Sequence, residues 1–259
     1  MLTVFIYCVT WATQRQIVDS CDPSDPQSLC RRLEVCLADV ASWMSSNRLQ
    51  LNTSKTELMW CSSSGRRHQV PTDSLVVGLD AIKPVAAVKD LGLYLGATMS
   101  MRDHISRLTS TCFGVLRQIR CIRRSLSSRA RTMLVTCFVF ARLDYCNAMF
   151  TGLPRCDLDR LQAVQNAAVI AGARKFDHVT PMLRERHWLP LEHRVAFKIA
   201  VMTYKCVHGM TADYLADYIR PPSSAATNMR LRSTSTGRLF VPRSKTAAGN
   251  RYFAVVLLS

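Results

Sequence analysis

The sequence predicts an α+β chain in two parts: short strands around one helix, then a mainly helical, basic region. Three observations carry this prediction. Up to about residue 97, apolar residues fall in short β-rich runs divided by turn residues, around a single stretch of helical period. From Met101 onward the period is helical. Lys and Arg number 34 against 18 Asp and Glu, a formal net charge of +16. With 48% hydrophobic residues, the chain has the material for a packed core.

Taken in order, residues 1–20 are ambiguous: Leu2 to Val9 has strand composition but no local partner pattern. Asp25 is placed to cap a helix and Pro26 to occupy its first position. Leu29, Leu33, Cys36, Leu37, Val40 and Met44 then recur at helical spacing, and Asn47 closes the helix. Residues 49–52 and 56–60 are short and strand-like, and the polar stretch 62–73 reads as a loop. Residues 75–79, 82–88 and 91–95, divided by Asp80 and Lys89-Asp90, predict an antiparallel meander.

The helical region opens with Ile105, Leu108, Cys112, Val115, Ile119 and Ile122. Their alternating steps of three and four make a seam too short for a coiled coil and suited to a helix packed on its neighbour. Ser127 or Ser128 caps a second helix to about Asn147, with Met133, Leu134, Cys137, Phe138 and Ala141 on its apolar side. A third spans 157–172 with Leu158, Leu161, Val164 and Ala168 inward. A fourth runs from Leu191 to Val207 and stops at Gly209. A short fifth holds Tyr214, Leu215 and Tyr218 and ends at Pro221-Pro222. From Ser223 the basic, Ser- and Thr-rich tail reads as extended or disordered.

The charge balance favours polyanion partners, nucleic acid first. The 11 cysteines contain no C-x-x-C pair and no zinc-finger spacing, and read as reduced, buried small hydrophobes of an intracellular protein. No run is long enough to span a membrane. The six histidines show no paired ligand spacing, and there is no phosphate loop or G-x-S-x-G.

Two stretches carry chemistry. Between residues 102 and 142 lie nine arginines, Arg102, Arg107, Arg117, Arg120, Arg123, Arg124, Arg129, Arg131 and Arg142, with Asp103 the only acid. Guanidinium forks match phosphate oxygens bidentately, so an arginine run without interspersed acids points to phosphate-backbone contact. The other reading is a solvated helix face. The second stretch, residues 47–57, carries Lys55 beside Glu57, which by itself is a surface lysine near a carboxylate.

The run C-L-A-D-V-A-S-W-M-S-S-N-R-L-Q-L-N-T-S-K-T-E, 36–57, resembles the segment after the catalytic motif of LINE-type (non-LTR) retrotransposon reverse transcriptases. V-K-D-L-G-L-Y-L, 88–95, resembles the family's primer grip. R-L-D-Y-C-N (142–147), G-L-P (152–154) and L-Q-A-V-Q-N-A-A (161–168) resemble its thumb and the helices beyond, and H-V-T-P (178–181) and H-W-L-P (187–190) fit the same region. The matches run in order from about Cys21 to Val256.

The resemblance implies an atypical segment at 1–20, a partial palm with primer grip at 21–97, thumb and post-thumb helices at 98–222 and the tail at 223–259. The family's polymerase holds two magnesium ions on aspartates from two palm motifs. One motif is expected upstream of residue 1. The other, a Y-A-D-D turn, is expected just before Cys21, where the chain reads V-T-W-A-T-Q-R-Q-I-V-D-S, 9–20, with Asp19 a lone acid. No Tyr-x-Asp-Asp occurs anywhere. The expectation is therefore a catalytically inactive remnant of an RNA-directed DNA polymerase, with no metal site and no cofactor. Lys55 stands at the family's motif lysine as a vestigial proton donor. Leu91, Gly92 and Tyr94 line the primer grip. Arg102, Arg107, Arg117, Arg120, Arg123, Arg124, Arg129 and Arg131 follow the backbone of an RNA or RNA–DNA duplex. A nuclear or cytoplasmic location fits such a partner. The alternative function is a phosphate-backbone nucleic-acid-binding module without enzymatic activity, retained from the thumb. Departures from the family pattern are a shortened stretch at 167–172, where an Arg-containing turn is expected, and an end at Ser259 where the family continues.

Overall fold

A computed structural model describes residues 2–9, 14–22, 24–62, 64–77, 80–170 and 179–216. The expected helix end at Gly172, the motif residue His178, Tyr218, Pro221-Pro222 and the tail from 223 lie outside the described residues. The chain divides into two compact units, Met1–His104 and Ile105–Ser259. The described residues form a mixture of helices and small antiparallel sheets, as an α+β chain requires.

In the first unit, β1 (Leu2–Val9) and β2 (Gln14–Cys21) form a hairpin, α1 (Pro26–Ser46) follows, and β3 (Glu57–Cys61) pairs with the far edge of β1. The sheet order is β2-β1-β3, antiparallel throughout. The β2–α1–β3 connection is thus a split βαβ unit with β1 inserted between its strands. Residues 1–20, which show no partner pattern in the sequence, turn out to supply the central strand. The partner β3 lies beyond a whole helix, out of reach of any local pattern.

The strand period builds the core directly. Leu2, Val4 and Ile6 point to one face and are fully buried there with Leu58 and Trp60 of β3 and Leu29, Leu33 and Leu37 of α1. The opposite face packs Met59 and Cys61 with Val88, Phe5 and Leu95. α1 begins as the sequence predicts: the Asp25 carboxylate accepts from Ser28 N at 3.1 Å and Pro26 occupies the first position. At its end Asn47 Nδ2 donates to Trp43 O at 2.8 Å. Cys36, expected inward, is exposed, and the buried stripe is Leu29, Leu33, Leu37 and Met44.

Residues 49–52 form no strand. Asn52 Oδ1 accepts from Lys55 N (3.2 Å) and from Ser54 Oγ (2.6 Å), which winds Thr53–Lys55 into a 3₁₀ turn. The expected loop at 62–73 contains a second short 3₁₀ turn, Ser64–Gln69. The expected single meander is instead two separate hairpins, β4 (Leu75–Val77) with β5 (Asp80–Ile82) and β6 (Ala87–Asp90) with β7 (Leu93–Gly96). Pro84 cuts the predicted 82–88 run, since it has no N–H for a ladder. The chain there turns instead to β3, where Val85 N donates to Leu58 O at 2.8 Å.

The second unit is helical. α2 (Arg102–Cys121) starts in the last residues of the first unit. Its buried stripe is Ile105, Leu108, Cys112, Leu116 and Ile119, so Leu116 takes the place expected of Val115, and Ile122 is exposed. Ser127 caps α3 (Ser128–Val135) by accepting from Ala130 N at 3.2 Å. A π turn, Thr136–Phe140, then leads into α4 (Ala141–Asp144) without a break. Val135, Val139, Phe140 and Leu143 are the buried residues here, whereas Met133, Cys137, Phe138 and Ala141, expected inward, are exposed. Val135, Val139 and Leu143 stand four residues apart, one face of a helix.

α5 (Arg155–Ile170) buries Leu161, Val164 and Ala168 as expected, with Leu158 half-buried. α6 (Val179–Glu185), α7 (Leu191–Val207) and α8 (Asp213–Ala216) complete the described chain. α7 ends where predicted: Gly209 adopts φ +65° and Met210 N donates back to Lys205 O at 2.8 Å. The glutamines of the Q-A-V-Q stretch are structural. Gln165 Nε2 donates to Leu189 O (2.7 Å) and Gln162 Oε1 accepts from Leu191 N (2.9 Å), tying α5 to the start of α7.

Candidate nucleic-acid interface

The arginine window lies on α2, α3, α4 and the turn between α2 and α3. Arg102, Arg107, Arg117, Arg120, Arg124, Arg129 and Arg142 are exposed, and Arg123 and Arg131 are half-buried. On α2 the arginines take the side away from the buried stripe, as a 3.6-residue period requires of Arg107, Arg117 and Arg120 against Ile105, Leu108, Cys112, Leu116 and Ile119. Arg102, Arg117, Arg120, Arg124, Arg129 and Arg142 form no ion pair with a described acid. Arg131 Nε is buried without a hydrogen-bond partner among the described residues.

The nearest carboxylate after the window, Asp144, is taken by another arginine. Arg194 of α7 clasps it with two N–H groups, Nε to Oδ1 at 2.8 Å and Nη2 to Oδ2. Arg194 also lies over the Phe140 ring (5.1 Å), Phe140 meets Trp188 (4.3 Å between centroids), and Arg186 covers Trp188 (5.3 Å). Asp144 therefore organises the helical unit and leaves the field over 102–143 positive. That field reaches the interior: burial pushes the Cys112 thiol up to about 11, and the Arg142 guanidinium pulls against this shift.

In the first unit, Lys55 is exposed on the Asn52-capped turn, and no described acid forms an ion pair with it. Leu91 and Gly92 are the two central residues of the β6–β7 hairpin, with φ +44° and +88°. Positive φ at both positions is the geometry of a type I′ turn, where asparagine and glycine are usual and leucine is strained. Leu91 nevertheless stands 72% exposed at the tip. Tyr94 is half-buried on β7, with Lys89 Nζ 5.8 Å from its ring centre. Burial raises the Asp90 carboxyl beside this turn. The structure thus joins Leu91, Gly92 and Tyr94 in one hairpin.

The residues where the resemblance expects paired metal ligands do not fit metal ions. Asp19 sits on β2, where its Oδ2 accepts from Arg32 Nη2 at 2.7 Å and its Oδ1 from Ser20 N at 2.7 Å. Among the described residues no group of three or more His, Cys, Asp or Glu could hold an ion. A cleft of about 760 Å³ in the helical unit is lined by Arg155, Gln162, Arg184, His187, Trp188 and His193; Gln162, His187 and Trp188 belong to stretches that carry the resemblance, and none of these six is among the candidate site residues. The cysteines are less buried than expected. Cys61, Cys112 and Cys206 are buried, but Cys36, Cys121, Cys137, Cys146 and Cys156 are exposed. No described helix is long and apolar enough to cross a membrane.

Sequence reasoning missed the exposed aromatic side chains beside these arginines. Phe113 is 40% exposed on α2, and Phe138 and Tyr145 are 48% and 50% exposed at the α3–α4 helix. Spacing gave a signal for the first: Phe113 stands four residues before Arg117 and off the apolar seam. Compared with family models, with curated proteins and with solved structures, the chain matches none.

Proposed function

We propose that this chain is a remnant of a retrotransposon reverse transcriptase that binds nucleic acid through its phosphate backbone and does not polymerise. The observation that carries the reading is the β1–β2 hairpin. The family resemblance puts the catalytic carboxylates at the turn of a hairpin that precedes a helix and the motif-lysine segment. Here a hairpin, α1 and the Lys55 turn follow one another in that order, but the connecting residues 10–13 are Thr, Trp, Ala and Thr. Asp19, the nearest acid, pairs with Val4, five residues down the strand from Gln14. At a strand rise of about 3.3 Å per residue that is about 17 Å from the turn, and two-metal catalysis needs its ions about 4 Å apart. No chemical step is assigned to the chain. The split βαβ architecture of the first unit supports the palm reading, and the acid-free arginines of the second support backbone binding.

Primer extension on poly(rA)/oligo(dT), with magnesium or manganese, tests the first half. The expected result is no nucleotide incorporation by the pure chain, and measurable incorporation overturns the assignment. A salt titration of RNA–DNA duplex binding tests the second half. The logarithm of affinity is expected to fall by about 0.9 per phosphate contacted for each log unit of salt. A flat response, or no binding at low salt, overturns it.

A further inference from the structure

We infer that the outward faces of α2 and of the α3–α4 helix each serve as a stacking platform for single-stranded nucleic acid, with Phe113 and Phe138 taking base faces beside arginines that hold phosphates. The inference rests on the nucleic-acid reading above and specifies its ligand.

On α2, exposed Phe113 is followed by Arg117 and Arg120, four and seven residues on. Positions four and seven apart share one helix face, about 6 and 10 Å along the axis. On the other helix, exposed Phe138, in the π turn, is followed by exposed Arg142 four residues on. Each helix therefore carries an exposed flat apolar ring with a cation about one turn further along. π turns are frequent at functional sites.

Charge complementarity decides the occupant. From residue 104 to 143 there is no Asp or Glu at all, and Asp144 is held by Arg194. A protein partner would have to bring every acid itself, whereas a nucleic-acid strand brings one phosphate per base. A duplex satisfies the arginines but hides its base faces within the stack, leaving the exposed phenylalanine rings against sugar and phosphate. A single strand offers both a charge and a π face at each nucleotide, and aromatic platforms in positive grooves bind such strands with little sequence preference.

The test is fluorescence anisotropy with two labelled probes, a U12 RNA and a blunt 12-base-pair RNA–DNA duplex, against the full chain at fixed low salt. Phe138→Ala is expected to weaken U12 binding about 5- to 150-fold, the range for losing one stacked base, and to leave duplex binding within about twofold. Phe138→Trp is expected to keep or improve U12 binding, and Phe138→Leu to behave like alanine. Because Phe138 is exposed, these variants should melt with the parent. If U12 binds but Phe138→Ala and Phe113→Ala leave its affinity unchanged, the platform is overturned while the arginine reading stands. Loss of U12 and duplex binding in equal measure also overturns the platform, as does a change of oligomeric state on Phe138→Ala, which would make the face a self-association surface. If neither probe binds the parent chain, both readings fail together.

Discussion

Asp19 in the first unit and Asp144 in the second are each held by an arginine, yet the two pairs differ in what they accomplish. Asp19–Arg32 joins an edge strand to the open side of α1, with both side chains well exposed at 40% and 58%. Such a pair contributes little, because water screens it and two long side chains lose freedom. Asp144 is gripped by two guanidinium N–H groups of Arg194, which is itself sandwiched toward Phe140. Arg194 is 20% exposed, so its loss of hydration must be offset by the carboxylate. The first pair decorates a fold already set by alternating apolar strands. The second ties α4 to α7 and, by occupying Asp144, keeps that carboxylate from the neighbouring arginines.

The two units can be compared by breaking each where it is most committed. Leu37→Ala, in the fully buried contact of α1 with the sheet, should cost about 3 kcal/mol in a urea melt followed by circular dichroism. Met133→Ala, at an apolar position of the same kind in sequence but 58% exposed, should cost under about 0.5 kcal/mol. Equal costs would mean that Met133 belongs to the buried face after all. Next in size, Asp144→Asn should cost about 2 kcal/mol, the loss of a charged hydrogen-bond acceptor, whereas Asp19→Asn should cost about 0.5 kcal/mol. A reversal of that order would sink the contrast between the two pairs. Asp25→Ala removes the α1 cap and should lower stability by about 1 kcal/mol, with Asp25→Asn restoring most of it.

A pH dependence is shared by both units and is confined to alkaline solution. Burial pushes the thiols of Cys61 and Cys112 up to about 11 from an ordinary value of 9.0. In the folded chain they stay protonated where unfolded thiols ionise. Their contribution to stability is complete below pH 9 and is lost as the pH rises from 9 through 11. The melting temperature should therefore decline across that window, and Cys112→Ala should flatten the decline for the helical unit. A decline unchanged in the double variant with Cys61→Ala would assign the alkaline loss to other groups.

How much of this was legible beforehand follows from the range of the forces involved. Asp25, Pro26 and Asn47 act within one helical turn, and Gly209 acts through its own φ, so their roles are readable from adjacent letters. The hairpin holding Leu91, Gly92 and Tyr94 is local too, but its turn falls at Leu91-Gly92 and not at Lys89-Asp90, which the sequence suggested and which instead end β6. The Asn52 turn was local but mistaken for a strand, because Leu49-Gln50-Leu51-Asn52 alternates while the Asn52 side chain competes for the backbone. For the candidate interface, the arginines and the lack of acids were visible as composition. Their aromatic neighbours were not, since exposure is a property of the packed chain.

The sequence by itself determined the α+β division, the caps and stops of α1, α3 and α7, the acid-poor arginine window and the absence of a Tyr-x-Asp-Asp turn, because each depends on neighbours within a few residues or on counting. Only the tertiary structure decided that Leu2–Val9 is the central strand, that Pro84 splits a meander into two hairpins, that Arg194 claims Asp144, and that Phe138 faces outward. Each of those depends on which segments meet in the packed chain, and much of the energy that selects them comes from apolar surface buried between segments that are not neighbours in sequence.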